Sequence, residues 1–154
     1  MTRLEVGAKA PSFTLMNQDG VKVALGDFAG RRLVVYFYPA DDTPGCTREA
    51  CQFNDELANF KDLDVDVLGV SPDGAKQHVA FRAKYALTFD LLSDPDRKVM
   101  ARYGAYGEKM LYGKKVVGVI RSTFVIGPTG RVEHAWYGVK TDGHAARVLA
   151  SLTA

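Results

Sequence analysis

The chain has 154 residues, 47% of them hydrophobic and 25% charged, and a net charge of +2 from 20 basic and 18 acidic side chains. That length suits one domain, residues 1–154, with enough apolar material for a real core. The near balance of charge, spread along the chain, argues against the concentrated basic face of a nucleic-acid binder. The opening stretch MTRLEVGAKAPSF has no apolar signal region and no run approaches the ~20 apolar residues of a membrane span, so the expected home is the cytoplasm, away from membranes.

Ser12–Met16 and Val21–Leu25 flank the turn residues Asn17-Gln-Asp-Gly20, which predicts an N-terminal β-hairpin. Leu33-Val-Val-Tyr-Phe-Tyr38 is a continuous apolar run, the pattern of a strand buried on both faces. Pro39 ends it. Apolar groups at Cys46, Ala50, Phe53, Leu57 and Phe60 then recur at helical spacing, predicting one helix over 46–60. A second central strand follows at Asp64–Val70, and Pro72-Asp-Gly74 opens a helix to about Tyr85 that carries His78, Phe81 and Tyr85. Phe89–Leu92 reads as a short strand and Asp96–Tyr103 as a short helix. Residues 104–115 are glycine-rich and resist assignment. Val116–Ile126 reads as one strand pairing with Arg131–Val139 across Gly127-Pro-Thr-Gly130, and Asp142 is the expected cap of a last helix to Leu152. This order indicates an α/β fold with a mixed central sheet flanked by helices. A strand followed by a cysteine at a helix start is the arrangement of the thioredoxin-like fold.

Both cysteines lie in one stretch, PADDTPGCTREAC, at positions 46 and 51. In a reducing compartment such a pair points to catalysis or metal binding before a structural staple. Cys46 follows Gly45 at the helix start, where free backbone N–H groups and the helix dipole favour a thiolate, the reactive form. Asp41 and Asp42 oppose that if close, and Arg48 is the local cation to offset them; this balance is open in the sequence. Donors toward charge developing beside the thiol are available from Thr43 and from the backbone at Gly45 and Cys46. Five helical residues separate two Cα atoms by roughly 8–9 Å, whereas a disulfide needs about 4.4–6.8 Å. If the two cysteines pair, the first turns must unwind, so the spacing suits a bond made and broken in turnover.

Pro39-x-x-x-Thr43-x-x-Cys46 resembles the active-site signature of the peroxiredoxins. The longer runs YFYPADDTPGCTREACQF, LLSDPDRKVMARYGAYGEK and LYGKKVVGVIRSTFVIGPTGRV resemble the bacterioferritin comigratory protein, or peroxiredoxin Q, branch along essentially the whole chain. The resemblance implies a thioredoxin-like fold and reduction of hydrogen peroxide and organic hydroperoxides. Cys46 would be the peroxidatic nucleophile and Cys51 the resolving thiol. Thr43 would hydrogen-bond thiolate and peroxide, Pro39 would shield the pocket from water, and Arg121 would steady the thiolate and polarise the peroxide. It also implies no metal or organic cofactor, recycling by thioredoxin or a similar dithiol, and a monomer.

Two rival readings use the same cysteines. A thiol–disulfide oxidoreductase typically carries C-x-x-C, which is absent. A copper or other metal carrier would recruit a histidine, but His78, His134 and His144 have no ligand spacing and read as solvated or locally bonded.

Overall fold

A computed structural model of the protein describes residues 3–153. Its centre is a seven-stranded mixed sheet whose strands lie in the order Lys22–Ala24, Thr14–Met16, Asp90–Ser93, Val65–Ser71, Arg32–Phe37, Ser122–Ile126, Val132–Tyr137. The predicted hairpin forms as β1 (Thr14–Met16) and β2 (Lys22–Ala24), paired antiparallel. Asn17 closes the turn, its Oδ1 accepting from the N–H groups of Asp19 and Val21. The parallel centre is β3 (Arg32–Phe37), β4 (Val65–Ser71) and β5 (Asp90–Ser93). On its other side β3 pairs antiparallel with β8 (Ser122–Ile126), which pairs in turn with β9 (Val132–Tyr137).

Strand β3 divides the core by its period of two. Leu33, Val35 and Phe37 enter one apolar cluster with Met100, Tyr103 and Phe124. Val34, Tyr36 and Tyr38 enter the other with Cys46, Ala50, Phe53 and Phe60. Helices α1 (Pro44–Asp55), α2 (Leu57–Asp62), α3 (Ala75–Tyr85) and α5 (His144–Thr153) cover the second face; α4 (Lys98–Arg102) packs into the first. Tyr36 stacks on Phe53 at 4.7 Å between centroids, which seats α1 directly over β3.

Three elements differ from expectation. The single helix over 46–60 is two, broken at Glu56 (φ −92°, ψ 0°). The apolar stripe carries on through Leu57 and Phe60 because the break is one residue long and the chain keeps turning the same way. The expected strand over 116–126 is also two. Residues 104–115 open a separate hairpin, β6 (Tyr106–Leu111) with β7 (Lys114–Val119), turning at Tyr112 and Gly113, both at positive φ. That turn geometry suits the right-handed twist of paired strands. Between β7 and β8 the chain leaves one sheet for the other at Ile120 and Arg121. Finally, Asp142 accepts a bond from the Gln52 amide instead of capping α5, while Gly143 N–H donates to the Gln52 carbonyl oxygen. Among the described residues no helix is long and apolar enough to cross a membrane, and no group of three or more His, Cys, Asp or Glu is placed to hold a metal ion.

Candidate active site

Helix α1 begins with Thr43 as N-cap, and Pro44 takes the first turn, where its missing N–H costs nothing and its fixed φ suits the helix. Cys46 therefore sits at the third helical position, among the unpaired N–H groups and the positive end of the dipole. Its residue is only 1% exposed. The guanidinium of Arg121 reaches it from the β7–β8 junction, with Nη2 3.3 Å from Sγ. The same guanidinium donates through Nη1 to Glu49 Oε1 at 2.7 Å. Glu49 is three residues after Cys46, hence on the same helix face. Gly45 lies against the same guanidinium: a Cβ there would stand 3.4 Å from Arg121 Nη2, in ordinary van der Waals contact.

The expected strand divides here because the chain passes from one sheet to the other: Ile120 N–H donates to the Ala105 carbonyl at the end of the β6–β7 hairpin, and the Arg121 carbonyl accepts from Val139 N–H just beyond β9. Burial works against the charge of Arg121, but Glu49 and Cys46 together raise its pKa above the ordinary value. For Glu49 the outcome is opposite: burial outweighs the attraction of Arg121 and pushes the carboxyl up to about 7. Among the described residues its second oxygen is buried without a hydrogen-bond partner.

An acid whose folded pKa exceeds its unfolded value of 4.5 favours folding while protonated, and loses that contribution as pH rises toward 7. Urea titrations of the reduced wild type and Glu49→Gln at pH 4 and pH 8 are expected to diverge. The wild type should lose on the order of 3 kcal/mol relative to the variant over that range. A difference that does not change with pH would contradict the burial of this carboxyl.

The remaining expected residues occupy distinct places. Pro39 and Ala40 are half-buried just after β3. Thr43 is exposed, and its hydroxyl donates to the Ala40 carbonyl at 3.1 Å. In this geometry its oxygen is left to accept, so it can receive a bond from a peroxide O–H but does not donate to the thiolate. Cys51 is half-buried, and burial followed by the Asp55 charge pushes its thiol pKa up. Both thiols are free.

The open charge balance around Cys46 resolves through neighbours distant in sequence. Asp41 is paired with His78 and Asp42 with Lys84 and Tyr85. Arg48 is exposed, and the cation at the sulfur is Arg121. His78 and His144 are fully buried and bonded, not solvated; His144 Nε2 lies 2.8 Å from Thr123 Oγ1. Burial, with Arg147 and Arg121 adding to it, pushes the His144 pKa down to about 4. Glu49 was missed by sequence reasoning, although its i+3 position from Cys46 is the signal that could have found it.

A buried thiol at a helix start, faced by a guanidinium on a thioredoxin-like sheet, defines a thiol enzyme of the thioredoxin fold. The family model described as AhpC/TSA matches residues 6–135. Peroxiredoxin Bcp of Escherichia coli (strain K12) is 44% identical over 149 residues, 97% of this chain and 96% of its own. Among solved structures, a Cys-to-Ser mutant of peroxiredoxin Q from Xylella fastidiosa superposes with a TM-score of 0.92 at 39% identity, covering 99% and 98% of the two chains. The bacterioferritin comigratory protein of Xanthomonas campestris gives a TM-score of 0.88 at 43% identity, covering 97% and 96%. The chain belongs to the AhpC/TSA family, in its bacterioferritin comigratory protein or peroxiredoxin Q branch, and is a peroxiredoxin, a thiol-dependent peroxidase.

Proposed function

We propose that the chain reduces hydrogen peroxide and organic hydroperoxides with Cys46 as the peroxidatic and Cys51 as the resolving thiol. The observation that carries this reading is the 3.3 Å approach of Arg121 Nη2 to the buried Cys46 sulfur. A guanidinium there stands ready for the negative charge that develops on the peroxide oxygens as the sulfur attacks. The Cys46 thiolate attacks one oxygen of ROOH. The O–O bond breaks, the alkoxide leaves with a proton as ROH, and Cys46 becomes a sulfenic acid. The Xanthomonas campestris relative was studied for alkyl peroxide reduction, which favours including organic hydroperoxides.

Cys51 then attacks the sulfenic sulfur, forming the Cys46–Cys51 disulfide and releasing water. Both residues lie in α1, so the helix must open first, and the Gln52 bonds to Asp142 and Gly143 are among those strained by it. A dithiol protein, thioredoxin or similar, reduces the disulfide by exchange. In this reading Thr43 accepts from the peroxide, Pro39 keeps water from the sulfur, and Arg121 polarises the O–O bond. One domain, residues 1–154, does this as a cytoplasmic monomer without metal or organic cofactor, and without nucleic acid or membrane as partner.

Cys51→Ser is the direct test of the division of labour. The variant should consume one equivalent of peroxide at nearly the wild-type rate, stop, and yield a sulfenic acid on Cys46 that dimedone traps. Continued turnover with the thioredoxin system, or no sulfenic acid on Cys46, would remove Cys51 from the cycle.

A further inference from the structure

The loop of residues 39–43 joins β3 to α1 and carries Pro39 and Thr43. Two consecutive aspartates fasten it to α3. Asp41 is 5% exposed and His78 not at all, with Asp41 Oδ2 2.6 Å from His78 Nδ1. The other Asp41 oxygen accepts from the Tyr38 hydroxyl at 2.6 Å, and the Asp41 N–H donates to Asp73 Oδ2 at 2.7 Å. Asp42 takes the left-handed conformation (φ 57°), with its carboxylate held by Lys84 Nζ and the Tyr85 hydroxyl.

His78 is held at both ring nitrogens. Nε2 lies 3.0 Å from the Leu92 carbonyl oxygen, which only accepts, and so donates to it. Nδ1 lies 2.6 Å from Asp41 Oδ2, so the ring ties the loop to β5.

We propose that His78 is a positioning residue for the peroxide reaction. Clamped between Leu92 of β5 and Asp41, it fixes the 39–43 loop, and with it Thr43 and the start of α1, against α3. The clamp lies on the loop side of Cys46, so it holds the peroxide-binding half of the site still while α1 opens toward Cys51. This rests on the reading of Cys46 as the peroxidatic thiol.

The test uses the full chain in a Cys51→Ser background, so that Cys46 alone is read. Two rate constants are measured for each variant: oxidation by hydrogen peroxide and alkylation by iodoacetamide. Alkylation follows the thiolate and its exposure, while peroxide reduction also needs the placed loop. His78→Ala is expected to slow peroxide by about 10- to 100-fold, the scale of a reacting group displaced by about 1 Å, with alkylation changed far less. Asp41→Asn should rescue most of the rate, since its amide can donate to Nδ1 of a neutral ring whose Nε2–H still serves Leu92. An unchanged peroxide rate in His78→Ala, equal losses in both reactions, or an Asp41→Asn variant as slow as His78→Ala would overturn the proposal. Should His78→Ala fail to fold, Tyr38→Phe removes one bond to Asp41 and keeps the ring, and must show the same split in smaller measure. Peroxide oxidation that survives Cys46→Ser would overturn the underlying reading instead, whatever the His78 variants do.

Discussion

Cys46→Ser is expected to reduce peroxide consumption to background, a fall of at least about 10³-fold on the scale of other nucleophile deletions. The serine hydroxyl fits the same buried space, and its proton is far too tightly held for Arg121 to generate an alkoxide at neutral pH. The substitution should therefore leave the fold intact, with thermal unfolding close to that of the wild type, and remove the chemistry alone. Cys51 does not substitute for Cys46: burial and Asp55 keep it a thiol, and Arg121 stands at the other sulfur. Peroxide consumption by a purified thioredoxin-coupled assay reads the outcome. A Cys46→Ser enzyme retaining most of its activity would mean that the buried thiol is only packing.

Arg121→Met carries the second large effect. The side chain makes two short contacts in different directions, one to Cys46 and one to Glu49, so methionine loses both while keeping much of the volume. Removing one preorganised donor from a site of developing charge costs about 10²–10³ in rate. Arg121→Lys should recover only part of it, because a single ammonium replaces a planar fork that serves sulfur and carboxylate at once. The variant also strands Glu49, whose side chain is 0% exposed and already has one oxygen without a partner among the described residues. The double variant Arg121→Met/Glu49→Gln separates the two consequences. It should regain stability lost in Arg121→Met and remain as slow with peroxide. Recovery of the rate would show that Arg121 acts through the fold and not on the reacting atoms.

Much of this site was legible in the chain because short-range chemistry writes it there. Proline, threonine, glycine and cysteine at fixed offsets mark a capped helix start, and the 46–60 stripe shows which face enters the core. A continuous β-branched and aromatic run marked β3, and a stretch that alternates and then turns fully apolar marked β4. Arg121 was found through its motif, but a strand pattern cannot tell that the backbone breaks at a residue turning inward. Glu49 and His78 were missed as buried groups because their neighbours are distant in sequence: Arg121 for one, Asp41 and Leu92 for the other. The hairpin of β6 and β7 escaped because its glycines and lysines resemble a loop, and the valines of β7 read as one run with β8. Glu56 ends α1 without any proline or glycine, so the composition gave no sign of the break.

The most direct test of the account is stopped-flow oxidation of the reduced protein by one equivalent of hydrogen peroxide, followed by thiol titration and intact mass. Formation of the Cys46–Cys51 disulfide predicts rapid loss of both thiols and a mass decrease of roughly two daltons, the two hydrogens given up with water. Slow oxidation typical of an unactivated cysteine, or a product with added oxygen on Cys46 and an intact Cys51 thiol, would contradict it.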